Sequence, residues 1–186
     1  MWFVAAMSMN RRLVLTLATL TLAASSPRPA ALAAEPAASR APAKDPLHRY
    51  VGSWRGEVTF EAGAAKPTTY TQENRFAWTL GGAFLEERGS GSNGTSFAGL
   101  WSLDAKTGKY LAYYFLAPTG DVVALHHEWV EAKQSFVGTA DLGGGVRMLL
   151  EDHFLGPDAY EWSITVQDPQ GSVLSRTRGR ERRVRP

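Results

Sequence analysis

Tyr160-Glu161-Trp162-Ser163-Ile164-Thr165-Val166-Gln167 puts a bulky apolar side chain at every even position and a polar one at every odd position. A period of two means a β-strand with one face on a core and the other in water. The same alternation runs upstream, with Trp54, Val58 and Phe60 set against Arg55, Glu57 and Thr59, and Phe97 and Trp101 against Ser96 and Ser102. Turn-forming clusters separate these runs: Gly81-Gly82, Gly91 to Gly94, Asp104 to Gly108, Pro118 to Asp121, Gly143-Gly144-Gly145, Gly156 to Asp158 and Asp168 to Gly171. The pattern predicts strands over 53–62, 67–79, 83–89, 95–103, 109–117, 122–131, 134–141, 146–155, 159–167 and 172–180. Beyond a turn or two after Asp45-Pro46-Leu47, where Leu47, Tyr50 and Val51 share a face until Gly52, no stretch keeps a helical period. Parallel strand-helix-strand units are thereby excluded. The expected fold is all-β, a single antiparallel up-and-down β-barrel of about ten strands with a short N-terminal helix, since closure removes exposed sheet edges. A two-sheet sandwich would use the same alternation.

The first 46 residues have another character: they contain no Gly and five of the ten Pro. Arg11 and Arg12 precede an apolar run from Leu13 to Ala24, and Ala31-Leu32-Ala33 offers small residues for cleavage, so residues 1–33 read as a signal peptide. Twelve apolar residues are short of the roughly 20 that span a bilayer, and no transmembrane segment is expected in the mature chain. Asn10-Arg11-Arg12-Leu13-Val14-Leu15 resembles a twin-arginine export signal, an alternative to the general secretory route. Residues 34–46, rich in Ala and Pro, are expected to form a flexible linker, and 47–186 the barrel domain. The expected location is the periplasm or outside the cell. With no cysteine, stability there must come from the core alone.

The sequence pI of about 9.0 suggests a polyanion-binding protein, but residues 47–186 carry 15 basic and 16 acidic groups. Nucleic acid is not an expected partner, because a phosphate-tracking face needs basic charge in excess. Gly-x-Ser-x-Gly elbows, Gly-Lys-Ser/Thr loops and thiols are all absent from the sequence. Neither a catalytic residue of known motif class nor a cofactor is expected.

Gly52-Ser53-Trp54-Arg55-Gly56 after a short helix resembles the opening of calycin-type barrels, the lipocalins and fatty-acid-binding proteins. The resemblance implies that Trp54 plugs one end and that an arginine of the last strand, Arg176 or Arg178, packs over it. Leu80 to Leu85, Leu100 to Tyr110 and the Arg-rich end are similar to bacterial exported lipocalin-like domains of unknown function. Nitrobindin-type haem barrels begin Gly-x-Trp-x-Gly-x-Gly. Here Val58 stands where the last Gly belongs, and the last histidine is His153, so haem is not expected.

Polar residues that interrupt the apolar faces are the informative ones: Gln72 and Asn74 between Tyr70 and Phe76, His127 between Leu125 and Trp129, and Asp152 between Leu150 and Phe154. With rings around them, they make a candidate binding set of Tyr70, Gln72, Asn74, Trp101, Tyr113, His127, Asp152 and Trp162 for a small apolar or amphipathic molecule. The alternative is that these groups satisfy one another in a filled interior, leaving surface contact with a protein partner as the function. His126-His127-Glu128 and Glu151-Asp152-His153 raise a metal site or a His127–Asp152 pair in a small barrel enzyme with a histidine base. Alternation sends His127 to one face and His126 and Glu128 to the other, so no metal is expected. Arg180, Arg182, Arg183 and Arg185 read as a solvated tail.

Overall fold

The computed structural model describes residues 45–185, and the signal-peptide assignment and most of the linker lie outside them. The chain runs β1 (Gly52–Ala62), β2 (Thr68–Thr79), β3 (Phe84–Gly91), β4 (Ser96–Asp104), β5 (Lys109–Ala117), β6 (Val122–Val130), β7 (Ser135–Asp141), β8 (Arg147–Phe154), β9 (Ala159–Gln167) and β10 (Val173–Val184). Every strand pairs antiparallel with its sequence neighbours, and β1 closes on β10 from Ser53↔Val184 to Ala62↔Ser175. This is a closed up-and-down barrel, which leaves no strand with an unpaired edge.

Alternation sorts the side chains. Inward positions include Trp54 and Val58 on β1, Gln72, Asn74 and Phe76 on β2, Leu85 and Glu87 on β3, and Leu150, Asp152 and Phe154 on β8, all buried. Their sequence neighbours on β2 and β8 are exposed. At the Gly143-Gly144-Gly145 hairpin all three residues have positive φ, which residues with a Cβ rarely adopt.

The expected N-terminal helix is instead a single 3-10 turn, Pro46–Arg49. Its bonds span three residues, from His48 N to Asp45 O at 3.0 Å and from Tyr50 N to Leu47 O at 3.1 Å. Gly52, at φ 126°, then turns the chain into β1 before an α-helical turn can close. Asp45, expected in the linker, is buried, caps the turn through Leu47 N at 3.0 Å and accepts the Tyr110 hydroxyl at 3.1 Å. The turn drives Leu47 and Tyr50, each 1% exposed, into one end of the barrel. Full burial of side chains of this size stabilises by roughly 1.5–3 kcal/mol each.

That end carries the tryptophan seal implied by the calycin resemblance, with a different arginine. Trp54 Nε1 donates to Tyr50 O at 2.6 Å, and the Arg183 guanidinium lies 4.2 Å from the Trp54 ring centre. Arg183 also donates to the carbonyls of Val51, Arg49 and Pro157. Arg176 and Arg178 are exposed, and Arg178 pairs with Glu61. The register explains the choice: Trp54 stands opposite Arg183, whereas Arg178 stands opposite Thr59 and on the outward parity. Because β10 continues to Val184, Arg180, Arg182 and Arg183 belong to the strand and not to a tail.

Candidate ligand site in the barrel interior

The interior has three levels. At the lowest, Tyr50 stands among the strand rings, stacked on Phe76 at 4.9 Å and Phe136 at 5.7 Å and edge-on to Phe154 at 4.9 Å and Tyr160 at 5.5 Å. This level is a floor of the protein's own aromatics.

A polar belt lies above it. Tyr50 donates its hydroxyl to Asp152 Oδ2 at 2.5 Å. Glu87 Oε2 accepts from Tyr114 at 2.7 Å and from Trp101 Nε1 at 3.4 Å. Glu181 Oε1 accepts from Trp162 Nε1 at 3.4 Å and Asn74 Nδ2 at 3.5 Å, and Gln72 Nε2 donates to Asn74 Oδ1 at 3.3 Å. Glu181 Oε2 and both ring nitrogens of His127 have no partner, although both residues are 0% exposed. An unpaired buried polar atom costs free energy that most proteins avoid.

Burial sets the protonation of the belt. It raises Glu87 to about 8, against the Tyr114 hydrogen bond and with help from the Asp152 charge. It raises Asp152 to about 7, against the Tyr50 hydrogen bond, and Glu181 to about 7, against that from Trp162. Burial, with the nearby His126, lowers His127 to about 3. These are the shifts that a poorly solvated site produces, since the charged form loses hydration.

Glycines set the geometry of the wall. A Cβ on Gly179 would come 2.3 Å from Trp162 Cε2, one on Gly138 2.4 Å from His127 Nδ1, and one on Gly89 2.2 Å from Phe97 Cζ. A Cβ on Gly99 would come 2.9 Å from Tyr114 Cε1, and one on Gly56 2.9 Å from the Glu181 carboxyl carbon. Four rings, those of Trp162, His127, Phe97 and Tyr114, therefore lie against a glycine of a neighbouring strand, whereas Gly56 is closed first by the Arg180 carbonyl. In the belt and above it, at the third level, the inward residues Tyr70, Phe97, Tyr114, Val123, Trp162 and Ile164 are only half-buried. Of these, Tyr114, Val123, Trp162 and Ile164 pack against the buried core.

Of the eight residues singled out from sequence, Tyr70, Gln72, Asn74, Trp101, His127, Asp152 and Trp162 are on the inward face. Tyr113 is not: it points outward and is 44% exposed, and its neighbour Tyr114 is the inward ring. Both faces of β5 are apolar, with Leu111, Tyr113 and Phe115 opposite Tyr110, Ala112 and Tyr114, so composition cannot orient the strand. The cross-strand pair Trp101↔Ala112 does orient it. The supposed His127–Asp152 pair is not formed, because Asp152 bonds Tyr50 and His127 lies tilted against the Trp101 ring at 4.4 Å. A base held near 3 is a poor proton acceptor at neutral pH. His126 is exposed, and His153 is tied to Lys133 O at 2.8 Å.

Sequence reading missed Glu87, Glu181 and Tyr50. Glu87 sits in a charged run, Glu86-Glu87-Arg88, yet shares parity with Leu85. Glu181 lies among arginines past the expected end of its strand.

No protein-family model and no curated protein matches this sequence. Among solved structures, Rv2717c from M. tuberculosis superposes with a TM-score of 0.62 at 18% identity, over 78% of this chain and 99% of that one. The S-type phycobiliprotein lyase CPES from Guillardia theta gives 0.53 at 15% identity, over 75% and 91%. A DUF3598-family protein of unknown function from Nostoc punctiforme gives 0.53 at 14% identity over 74% of this chain, which spans about half (49%) of that one. At these identities the likeness shows the fold alone.

Proposed function

We propose that the protein binds a small apolar or amphipathic molecule in the upper part of its barrel, as an exported protein. The observation that supports this most directly is the set of inward side chains, Tyr70, Phe97, Tyr114, Val123, Trp162 and Ile164, that stay half-buried above a floor closed by Tyr50. A ligand pocket needs apolar walls and a few placed polar groups. Asn74, Glu87, His127 and Glu181 are those groups. The phycobiliprotein lyase named above is built on the same fold, which agrees with the reading without carrying it. Export rests on the Arg11-Arg12 leader pattern. It is tested by the intact mass of protein recovered from the periplasm, expected to lack residues 1–33.

The test of binding is calorimetric titration with 1-naphthalenemethanol, together with mass spectrometry of compounds extracted from protein purified from its native host. Saturable binding to the wild type that Ile164→Trp weakens about tenfold or more is the expected result. Absence of binding, or binding indifferent to Ile164→Trp in a variant that still folds, overturns it.

A further inference from the structure

The interior is one-sided in charge. Glu87, Asp152 and Glu181 project into it from β3, β8 and β10 and are buried. Every Lys and Arg among the described residues is exposed except Arg183. Arg183 is held at the floor end by Trp54 and the carbonyls of Val51, Arg49 and Pro157. An anionic head group, such as a fatty-acid carboxylate, would thus meet acids and no counter-charge. The unpartnered Glu181 Oε2 and the ring of His127 add to this, since both residues are wholly buried and turned inward. Three aromatic rings border the acids, each by the edge that carries its donor: Tyr114 and Trp101 bond Glu87, and Trp162 bonds Glu181. Carboxylates set among aromatic rings suit an organic cation, which gains from the charge and from any ring face it can reach.

We propose that the ligand's polar end is a protonated nitrogen, an ammonium or similar organic cation on an apolar body, received between Glu87 and Glu181 among the rings of Trp101, Tyr114 and Trp162. This rests on the interior being the binding site.

Proton release follows. Without a cation the belt carboxyls keep protons up to about 8 for Glu87 and about 7 for Glu181, chiefly through burial. A nearby positive charge favours their ionised forms, so affinity for a cation rises with pH across that range. The other titratable groups facing the belt are Tyr70 on β2, Tyr114 on β5, His127 on β6, Asp152 on β8, Tyr160 on β9 and Tyr50 of the plug. Burial raises all four tyrosines, so they stay neutral, and His127, near 3, is neutral as well. Asp152, at about 7, ionises in the same direction as the two glutamates.

The test compares three probes of one body and different charge, 1-naphthylmethylammonium, 1-naphthalenemethanol and 1-naphthoate, by calorimetry at about pH 6 and about pH 8. The ammonium is expected to bind about tenfold or more tighter than the alcohol at the higher pH, with the naphthoate weakest and the preference shrinking at the lower pH. Glu181→Gln and Glu87→Gln keep shape and hydrogen-bonding capacity. Each is expected to weaken the ammonium about tenfold, a loss several-fold larger than any it causes in the alcohol. An ammonium preference that survives the double Gln variant, or naphthoate binding as tightly as the ammonium, overturns the inference. Alcohol binding without ammonium preference also removes it while leaving the interior site standing. If none of the three probes binds, the interior site itself falls.

Discussion

Tyr50 reaches up from the plug and donates its hydroxyl to Asp152 Oδ2 at 2.5 Å, so one hydrogen bond joins the N-terminal turn to the belt on β8. The bond also lowers the Asp152 pKa against burial. Tyr50→Phe leaves a buried carboxyl without its donor and is expected to cost about 1–3 kcal/mol. Urea unfolding of Tyr50→Phe, Asp152→Asn and the double variant checks this. The double variant is expected to be more stable than the sum of the single losses implies, because no carboxylate is left stranded.

Arg183 and Arg178 are two arginines of one strand with opposite consequences. Arg183→Ala removes the cation over Trp54 and the donors to three carbonyls, and is expected to destabilise by about 2–4 kcal/mol. Arg178→Ala loses only a solvent-screened pair with Glu61, with side chains 54% and 36% exposed, and is expected to change stability by less than about 1 kcal/mol. Thermal melts of both variants decide it, and Trp54 fluorescence is expected to change only in the first.

Glu87 holds its proton to about 8 in the folded protein, against an ordinary 4.5, and Asp152 and Glu181 hold theirs to about 7. Between the ordinary and the raised values the native state keeps protons that the unfolded chain has released. Their contribution is therefore complete on the acid side and is lost as pH rises through 7 and 8. His127, near 3 instead of 6.5, acts oppositely, losing stability as pH falls below 6.5. Three carboxyls outweigh one imidazole, so the melting temperature is expected to fall between about pH 6 and about pH 8.5. Glu87→Gln is expected to flatten that slope, its gain over wild type widening with pH.

Gly179→Ala puts a Cβ about 2.3 Å from the Trp162 indole, closer than atoms can approach. The ring must leave the wall and swing into the lumen. A loss of about 1–3 kcal/mol is expected, with a shifted Trp162 emission and weaker uptake of naphthalenemethanol. Unchanged uptake with displaced emission would contradict the role given to the rings seated on glycine.

Alternation alone carried most of the fold. β9, with Tyr160, Trp162, Ile164 and Val166 inward, reads from sequence without error, because its two faces differ in chemistry. β5 does not, because its outward Leu111, Tyr113 and Phe115 are as apolar as its inward set. The polar interruptions Gln72, Asn74, His127 and Asp152 were legible since each breaks an apolar file. Glu87 and Glu181 were not, since charged neighbours hide them, and only the register of Leu85 and Trp54 fixes their direction. The seating of rings on Gly89, Gly138 and Gly179 joins residues from different strands, and no local pattern announces it.

The ring of strands also has a weakest seam. β1 and β10 are registered over ten residue pairs, whereas β6 and β7 share five, from His126↔Thr139 to Val130↔Ser135. A hoop unzips where its stitching is shortest. Backbone amides along that seam should trade their hydrogens for deuterium first, and a partner or a heat pulse that forces the molecule apart should enter between the sixth and seventh staves.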